Sequence, residues 1–325
     1  MSTENSKPLV SVCITTYNMQ DYIGRALDSV LTQQTDFDFE IIVSDDSSTD
    51  STLDILEFYK QKAGSSLTVL EAEENKGLIE NFVKALRESR GKYIATLDAD
   101  DYWIDPLKLQ KQVDILNRQA EIGFVYTNYY NETASNGTRR AGYSKGHRYP
   151  GNNAYFSMIA SLFVQISTPC FRRSLLDLVP MDEFVKRKFV AQDLSFFLGF
   201  SLVTIGYYIP DFTTVYTIRE GSMSHEKDFE KRILNYEKCF EIGNYYIEKH
   251  PAPANIIDKR QFQHSFNLLL ASWQTRDFEK VQKFIKPLLA KDFFKYNKKA
   301  WYIYHASKHK FLFRLFAPWV LRKRG

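Results

Sequence analysis

Four times in its first hundred residues this chain runs an apolar strand towards a polar cluster, and three of those clusters are rich in Asp, Asn or Thr. Val10-Ser11-Val12-Cys13-Ile14-Thr15-Thr16 leads into Tyr17 and Asn18, after which Ile23, Ala26, Leu27, Val30 and Leu31 recur at helical spacing. Residues 40–44 lead into Asp45, Asp46 and a Ser/Thr/Asp turn that can cap a helix carrying Leu53, Leu56 and Tyr59. Leu67-Thr68-Val69-Leu70 passes through Asn75 and Gly77 to a helix with Ile79, Phe82, Val83 and Leu86. The strand at residues 93–97 then ends in Asp98-Ala99-Asp100-Asp101. Alternating βα units predict a parallel sheet, and open sheets of this kind bind ligands at the carboxyl ends of their strands.

The last cluster sets three carboxylates in four positions. Like charges so close repel and raise one another's pKa, so a divalent cation with a preference for hard oxygen ligands, Mg2+ or Mn2+, is the expected counterion. An Asp-rich turn also serves as a helix cap, and that alternative stays open for Asp45 and Asp46 in particular. No GxGxxG and no GxxxxGK[ST] occurs, which argues against a nicotinamide, flavin or P-loop nucleotide site. A diphosphate held through a metal ion on Asp100, with Asp45 accepting hydrogen bonds from a base or ribose, is the remaining way to hold a nucleotide.

At 325 residues the chain is long enough for one large or two modest domains. Its 44% hydrophobic and 25% charged residues exclude a disordered or fibrous chain. Three widely spaced cysteines, Cys13, Cys170 and Cys239, give neither a disulfide framework nor a CxxC site. The apolar run at residues 196–210 is interrupted and too short to span a bilayer, and the N-terminus lacks the apolar core of a secretory signal; a cytoplasmic protein is expected. The net charge of +4 conceals an asymmetry. Residues 280–325 hold thirteen Lys and Arg against Asp292 alone, a surplus of twelve, so the rest of the chain carries −8. Such a division predicts a basic surface for an anionic partner.

Residues 10–18, 40–50 and 98–101, in that order and spacing, resemble family 2 glycosyltransferases of the GT-A fold, over about the first 225 residues. The resemblance implies an α/β, Rossmann-like, mostly parallel sheet flanked by helices, in a catalytic domain over 1–227. Its nucleotide-binding half would be 1–101 and its acceptor half 102–227, followed by a helical, basic C-terminal extension over 228–325. It implies a nucleotide-sugar donor, UDP-linked by expectation, and Mn2+ or Mg2+ as cofactor. Thr15, Thr16, Tyr17 and Asn18 would line the nucleotide pocket, Asp45 would recognise the uracil, and Asp46, Asn75, Gly77 and Ala99 are further pocket candidates. Asp100 would be the principal metal ligand, and Asp98 a second ligand that also supports the ribose or a metal-bound water.

Inverting sugar transfer needs a base that removes the acceptor hydroxyl's proton, usually a carboxylate. The family's base is the Asp of an ED pair opening a helix, and Gln192-Asp193 holds the matching place, with Gln in place of Glu. Asp193 is therefore the candidate, although it can equally cap the helix at residues 194–202. By the same resemblance, residues 216–225 match a segment that folds over the diphosphate, with Arg219 clamping a phosphate and His225 a third metal ligand. Residues 167–173 resemble the turn and strand beneath the acceptor site, while Arg172 and Arg173 can be plain surface residues.

From Phe229 onward apolar residues recur at helical spacing, and residues 308–324 mix Phe, Trp and Leu with cations, a composition suited to an anionic membrane surface. No RNA- or DNA-binding signature accompanies the basic tail, so nucleic acid is not an expected partner. The sequence thus predicts a metal-dependent inverting glycosyltransferase of surface polysaccharide or lipopolysaccharide assembly. It would be cytoplasmic or peripheral on the inner face of the membrane, with a glycan or lipid-linked acceptor. Two rivals stay open: a sugar nucleotidyltransferase, and a catalytically silent nucleotide-sugar or membrane-binding scaffold.

Overall fold

The computed structural model describes residues 7–143, 154–160, 163–222, 228–285 and 298–321. They form two compact units, Met1–Tyr155 with Phe163–Arg219, and Phe156–Leu162 with Glu220–Gly325.

The first unit is built on one sheet. Its nucleotide-side strands are β1 (Val10–Thr16), β2 (Phe39–Asp45), β3 (Leu67–Glu71) and β4 (Tyr93–Asp98), side by side as β3-β2-β1-β4 and all parallel. Helices α1 (Ile23–Leu31), α2 (Thr52–Ala63) and α3 (Leu78–Glu88) supply the crossovers. Parallel strands covered on both faces are mostly apolar along their length, and β1 is buried at every position. Val12 and Ile14 cluster with Ile23, Ala26 and Leu27 of α1, while Cys13, facing the other way, reaches the Ala85 carbonyl of α3.

Beyond β4 the sheet becomes mixed. In chain order follow β5 (Tyr102–Trp103), α4 (Lys108–Arg118), β6 (Ile122–Thr133), β7 (Arg139–Ala141), α5 (Ala154–Ala160), β8 (Cys170–Arg172), α6 (Met181–Lys186), α7 (Gln192–Val203) and β9 (Ile205–Ile218). The short β8 runs antiparallel between β4 and β6, and β9 lies parallel to β6 with β5 antiparallel at its edge. The apolar run at residues 196–210 is α7 followed by the start of β9. Phe196, Phe197 and Phe200 are fully buried and meet Phe82, Phe124, Phe171 and Phe184 mostly edge-to-face, so α7 is a core helix with apolar contacts on all sides.

The turn at residues 165–169 is heavily anchored. Trp103 Nε1 donates to the Ser167 carbonyl at 2.9 Å, Gln112 Nε2 to Thr168 O at 2.9 Å, and Thr96 Oγ1 to Ile166 O at 2.5 Å. Lys108, fully buried with its Nζ on Gln112 Oε1 at 2.8 Å and over the Trp103 ring, braces two of these donors, and burial pushes its ammonium down to about 7.

The second unit is helical: α8 (Phe229–Lys249), α9 (Ala254–Gln274), α10 (Phe278–Ile285), α11 (Lys298–Ser307) and α12 (Lys310–Leu321). Trp273 is fully buried at its centre, against Phe313 at 4.7 Å between ring centroids, with Nε1 on Ser307 Oγ at 2.7 Å. No helix among the described residues is long and apolar enough to cross a membrane.

Candidate active site

The strand register brings the three polar clusters together. Thr16 pairs with Asp45 and Thr15 with Asp98, so the ends of β2, β1 and β4 form one row. Among the hydrogen bonds that join the loops after β1 and β2, five run from a backbone N–H to a side chain. Asn18 N–H donates to Ser48 Oγ (2.9 Å), Thr49 N–H to Asn18 Oδ1 (2.8 Å), Met19 N–H to Thr52 Oγ1 (2.8 Å), Gln20 N–H to Asp50 Oδ2 (3.1 Å) and Ser51 N–H to Gln20 Oε1 (2.9 Å). Asn18 takes this position at a φ of 53°, in the left-handed region that Asn tolerates better than most residues. Asp50 stays below the usual carboxylate range: burial opposes ionisation, but the hydroxyl and N–H of Thr52 and the N–H of Gln20 outweigh it.

Asp45 and Asp46 are both buried and both hold backbone. Asp45 accepts from Ser48 N–H (2.8 Å) and Ser48 Oγ (2.5 Å); Asp46 accepts from the N–H groups of Lys76 and Gly77, each at 2.8 Å. Gly77, at φ 91°, adopts a conformation that a side chain would strain, and from there it starts α3. Asn81, a residue the sequence does not single out, ties the strand ends from beneath, donating to Ser44 O (2.8 Å) and accepting from Ser44 Oγ (2.6 Å). Tyr17 and Asn75 are exposed, and Thr16 Oγ1 is buried with no hydrogen-bond partner among the described residues.

At the end of β4 the carboxylates of Asp98, Asp100 and Asp101 offer oxygens within 4.8 Å of one another. Their environments differ. Asp101 is 1% exposed, and both its oxygens are taken: Oδ2 by Ser167 Oγ (2.6 Å) and Gln165 Nε2 (2.9 Å), Oδ1 by Thr217 N–H (2.9 Å). Asp98 Oδ1 accepts from Thr15 Oγ1 (3.2 Å) and Gln192 Nε2 (3.0 Å). Asp100 Oδ2 meets Arg219 Nε at 2.7 Å, and the guanidinium lies 5.7 Å from the Tyr22 ring centroid. Asp98 Oδ2 and Asp100 Oδ1 have no hydrogen-bond partner among the described residues.

Burial, with the neighbouring Asp100 and then Asp193, pushes Asp98 up to about 7, and burial with Asp100 and Asp98 holds Asp101 well above the ordinary range. Asp193 stands in the first turn of α7, its Oδ1 accepting from Leu194 N–H at 2.7 Å, and burial raises it to about 6. Burial above all, with Asp193 among the neighbouring charges, raises Tyr129 and Tyr143. Gln192 is buried, and its Oε1, the atom not spent on Asp98, has no hydrogen-bond partner among the described residues.

A second polar group adjoins the first through Thr217. Glu132 accepts from Arg139 Nε (2.7 Å), Tyr102 OH (3.1 Å) and Arg25 Nη1 (3.4 Å), and Arg25 also donates to Thr217 Oγ1 (3.2 Å). The sequence gives no local signal for these residues, nor for Gln165. The structure therefore brings Thr15, Thr16, Asp45, Asp98, Asp100, Arg219 and Asp193 to one edge of the sheet. Ala99 is buried between the two outer carboxylates, with its N–H on the Thr15 carbonyl. His225 lies outside the described residues.

Over residues 11–177, just over half its length, the chain matches the family described as Glycosyl transferase family 2. TuaG of Bacillus subtilis, whose name provisionally assigns it to teichuronic acid biosynthesis as a glycosyltransferase, is 42% identical over 125 residues, 38% of this chain and 48% of that protein. WfaP of Escherichia coli, a UDP-Glc:α-D-GlcNAc-diphosphoundecaprenol β-1,3-glucosyltransferase, is 39% identical over 124 residues, 38% of this chain and 47% of that one. The chain spans about a third to a half of the length of the curated relatives it matches. In fold it is similar to the Pyrobaculum calidifontis mannosyltransferase PcManGT, solved with GDP-Man and Mn2+, with a TM-score of 0.57 at 17% identity, covering 97% of this chain and 88% of the other. The observed fold is thus the α/β fold of GT-A glycosyltransferases.

The raised carboxyls give the site a pH signature. Unfolded, these groups titrate near 4, so the native state binds the extra protons; the associated stability is full below that value and is lost as pH rises through about 6 and 7. Without divalent cations, Tm should fall between pH 5 and pH 8, and Asp98→Asn should flatten the fall. A Tm that rises across this window, or that falls identically in the variant, contradicts the electrostatic reading.

Proposed function

Because this chain belongs to glycosyl transferase family 2, and is therefore a glycosyltransferase, we propose that it transfers the sugar of a UDP-sugar, with inversion, to a lipid-linked glycan in cell-surface polysaccharide assembly. The observation that carries this reading is the placement of a raised carboxyl, Asp193, on the same edge of the sheet as Asp98 and Asp100, close enough for the charges of Asp98 and Asp193 to interact. WfaP supports the donor and acceptor classes, since its name specifies a UDP-sugar and a diphosphoundecaprenol-linked acceptor. TuaG supports the polysaccharide context.

The donor set fits Mg2+ or Mn2+. Asp98 Oδ2 and Asp100 Oδ1 are unpaired carboxylate oxygens in a cluster whose charges oppose one another. Asp101 has both oxygens engaged by protein donors, so it positions the cluster and is not a ligand. When bound, the ion would neutralise charge on the departing diphosphate. Arg219, held in the cluster on Asp100, stands where a phosphate of the donor would meet its positive charge. Thr15, Thr16, Tyr17, Asn18 and Asp45 line the nucleotide side, where the unpartnered Thr16 Oγ1 awaits a polar group. Asp193, raised to about 6, is ionised at neutral pH yet basic enough to accept the acceptor hydroxyl's proton as that oxygen attacks the anomeric carbon.

The second unit suits a lipid-linked substrate. On α12, Phe311 and Leu315 are exposed beside Lys310 and Arg314, while Phe313 fills the core, so these two side chains are available to an anionic bilayer. Phe311→Ser/Leu315→Ser should reduce cosedimentation with phosphatidylglycerol vesicles at least fivefold; unchanged retention removes the membrane from this account.

Transfer from radiolabelled UDP-sugars to a polyprenyl-diphosphate glycan tests the central reading. Asp193→Asn should lower kcat at least a hundredfold while donor binding persists, and Asp100→Asn should abolish transfer. Full activity in either folded variant overturns the assignment, and donor binding by the wild type with no turnover of any UDP-sugar would favour a scaffold.

A further inference from the structure

The opposite edge of the same sheet carries a cavity that the transfer reaction does not use. It lies where β1 and β4 begin and β8 ends, about 20 Å from the acidic cluster at the strand rise of roughly 3.3 Å per residue. Its volume is about 310 Å³, and Lys7, Lys92, Arg172 and Arg173 line it, against one acid, Asp177. Gly91 forms part of the wall; a Cβ there would stand 2.6 Å from the Ser11 nitrogen, so only glycine lets this turn close onto β1.

Lys7, Lys92 and Arg173 are exposed and Arg172 is half-buried, and two features bear on what these cations can hold. The first is that they are unpaired. Arg25, Arg87, Arg90, Arg139, Arg187 and Arg219 each meet a carboxylate at 3.4 Å or less. Among the described residues, no salt bridge joins Lys7, Lys92, Arg172 or Arg173 to Asp177 or to any other acid. The second is that the two guanidinium groups are held in place by backbone. Arg172 donates through Nε to Ile122 O (2.9 Å) and through Nη2 to Leu116 O (2.6 Å) and Gln119 O (3.0 Å), at the end of α4; Arg173 Nε donates to Ser89 O (2.8 Å), just past α3. Those carbonyls fix the positions of the groups without neutralising their charge. Arg172 Nη1 and both terminal nitrogens of Arg173 keep their donors free among the described residues.

We propose that this cavity is a binding site for a phosphate or diphosphate group, separate from the nucleotide-sugar site. Pre-set guanidinium donors lose little entropy on binding and match phosphate oxygens in pairs, and Lys7 and Lys92 add point charges at the rim. The volume admits a phosphate ester larger than inorganic phosphate. The ligand is either a soluble phosphate ester or a phospholipid headgroup.

Calorimetric titration of the full chain with pyrophosphate, in EDTA at low ionic strength, tests the site. One equivalent should bind. Arg173→Glu and Lys92→Glu should each weaken that step at least tenfold, while Arg219→Ala at the acidic cluster and the remote reversal Lys60→Glu/Lys84→Glu should leave it in place. Lys92→Glu spares the arginine bonds to the helix ends, so a loss of binding there is not a loss of fold. No binding, binding lost in Arg219→Ala but kept in Arg173→Glu, or an equal loss in the remote reversal overturns the proposal. Retention on phosphatidic acid vesicles that falls in Lys92→Glu relative to wild type supports the site with a headgroup as its ligand; equal retention, with pyrophosphate binding lost, supports it with a soluble ester.

Discussion

Three carboxylates at the end of one strand impose the constraint around which the rest of the first unit is arranged. Buried charge costs several kcal/mol per ion unless donors replace water, and here the requirement is met unequally. Asp101 takes three donors, from Gln165, Ser167 and Thr217. It is thereby fixed as part of the framework. Asp98 and Asp100 are each left with an unpaired oxygen, and the repulsion among the three keeps those oxygens in need of a cation.

That inequality explains why so much buried hydrogen bonding converges on residues 165–169. Trp103, Gln112 and Thr96 hold the turn's carbonyls, and Lys108 steadies Trp103 and Gln112 in turn. Through Ser167 this scaffold reaches Asp101. Through Gln192 the N-terminus of α7 is tied to Asp98, so the helix that carries Asp193 is held to the strand that carries the acidic cluster. A Glu at position 192 would bring a further negative charge against Asp98; the amide donates instead.

Much of this was legible in the sequence, for a physical reason. Parallel strands buried on both faces are near-continuous apolar runs, so β1 to β4 stand out within a residue or two of their observed ends, and the polar clusters at their carboxyl ends are local signals. What the sequence does not show is non-local. Nothing at Gln165 announces a partner 64 positions away at Asp101, and the Asp100–Arg219 pair joins residues 119 apart. Asp45 and Asp46 illustrate the remaining ambiguity: both reach the expected edge, and both are also committed to backbone N–H groups, but those belong to turns at Ser48 and Lys76–Gly77 ahead of the helices, so neither residue is a helix cap. The antiparallel insertion of β8 depends on three residues whose pairing has no periodic signature. Arg172 and Arg173, readable as surface residues, turn out to bind the backbone near the ends of two helices.

The central claim is that the row formed by Thr16, Asp45 and the unpaired oxygens of Asp98 and Asp100 binds a uridine diphosphate together with a divalent ion. Titration calorimetry of the purified chain with UDP, with and without Mn2+, tests it most directly, with GDP, TDP and CMP as comparisons. The account predicts UDP binding that requires Mn2+ and disappears in Asp100→Asn; binding of no nucleotide, or UDP binding indifferent to both the ion and the substitution, would contradict it.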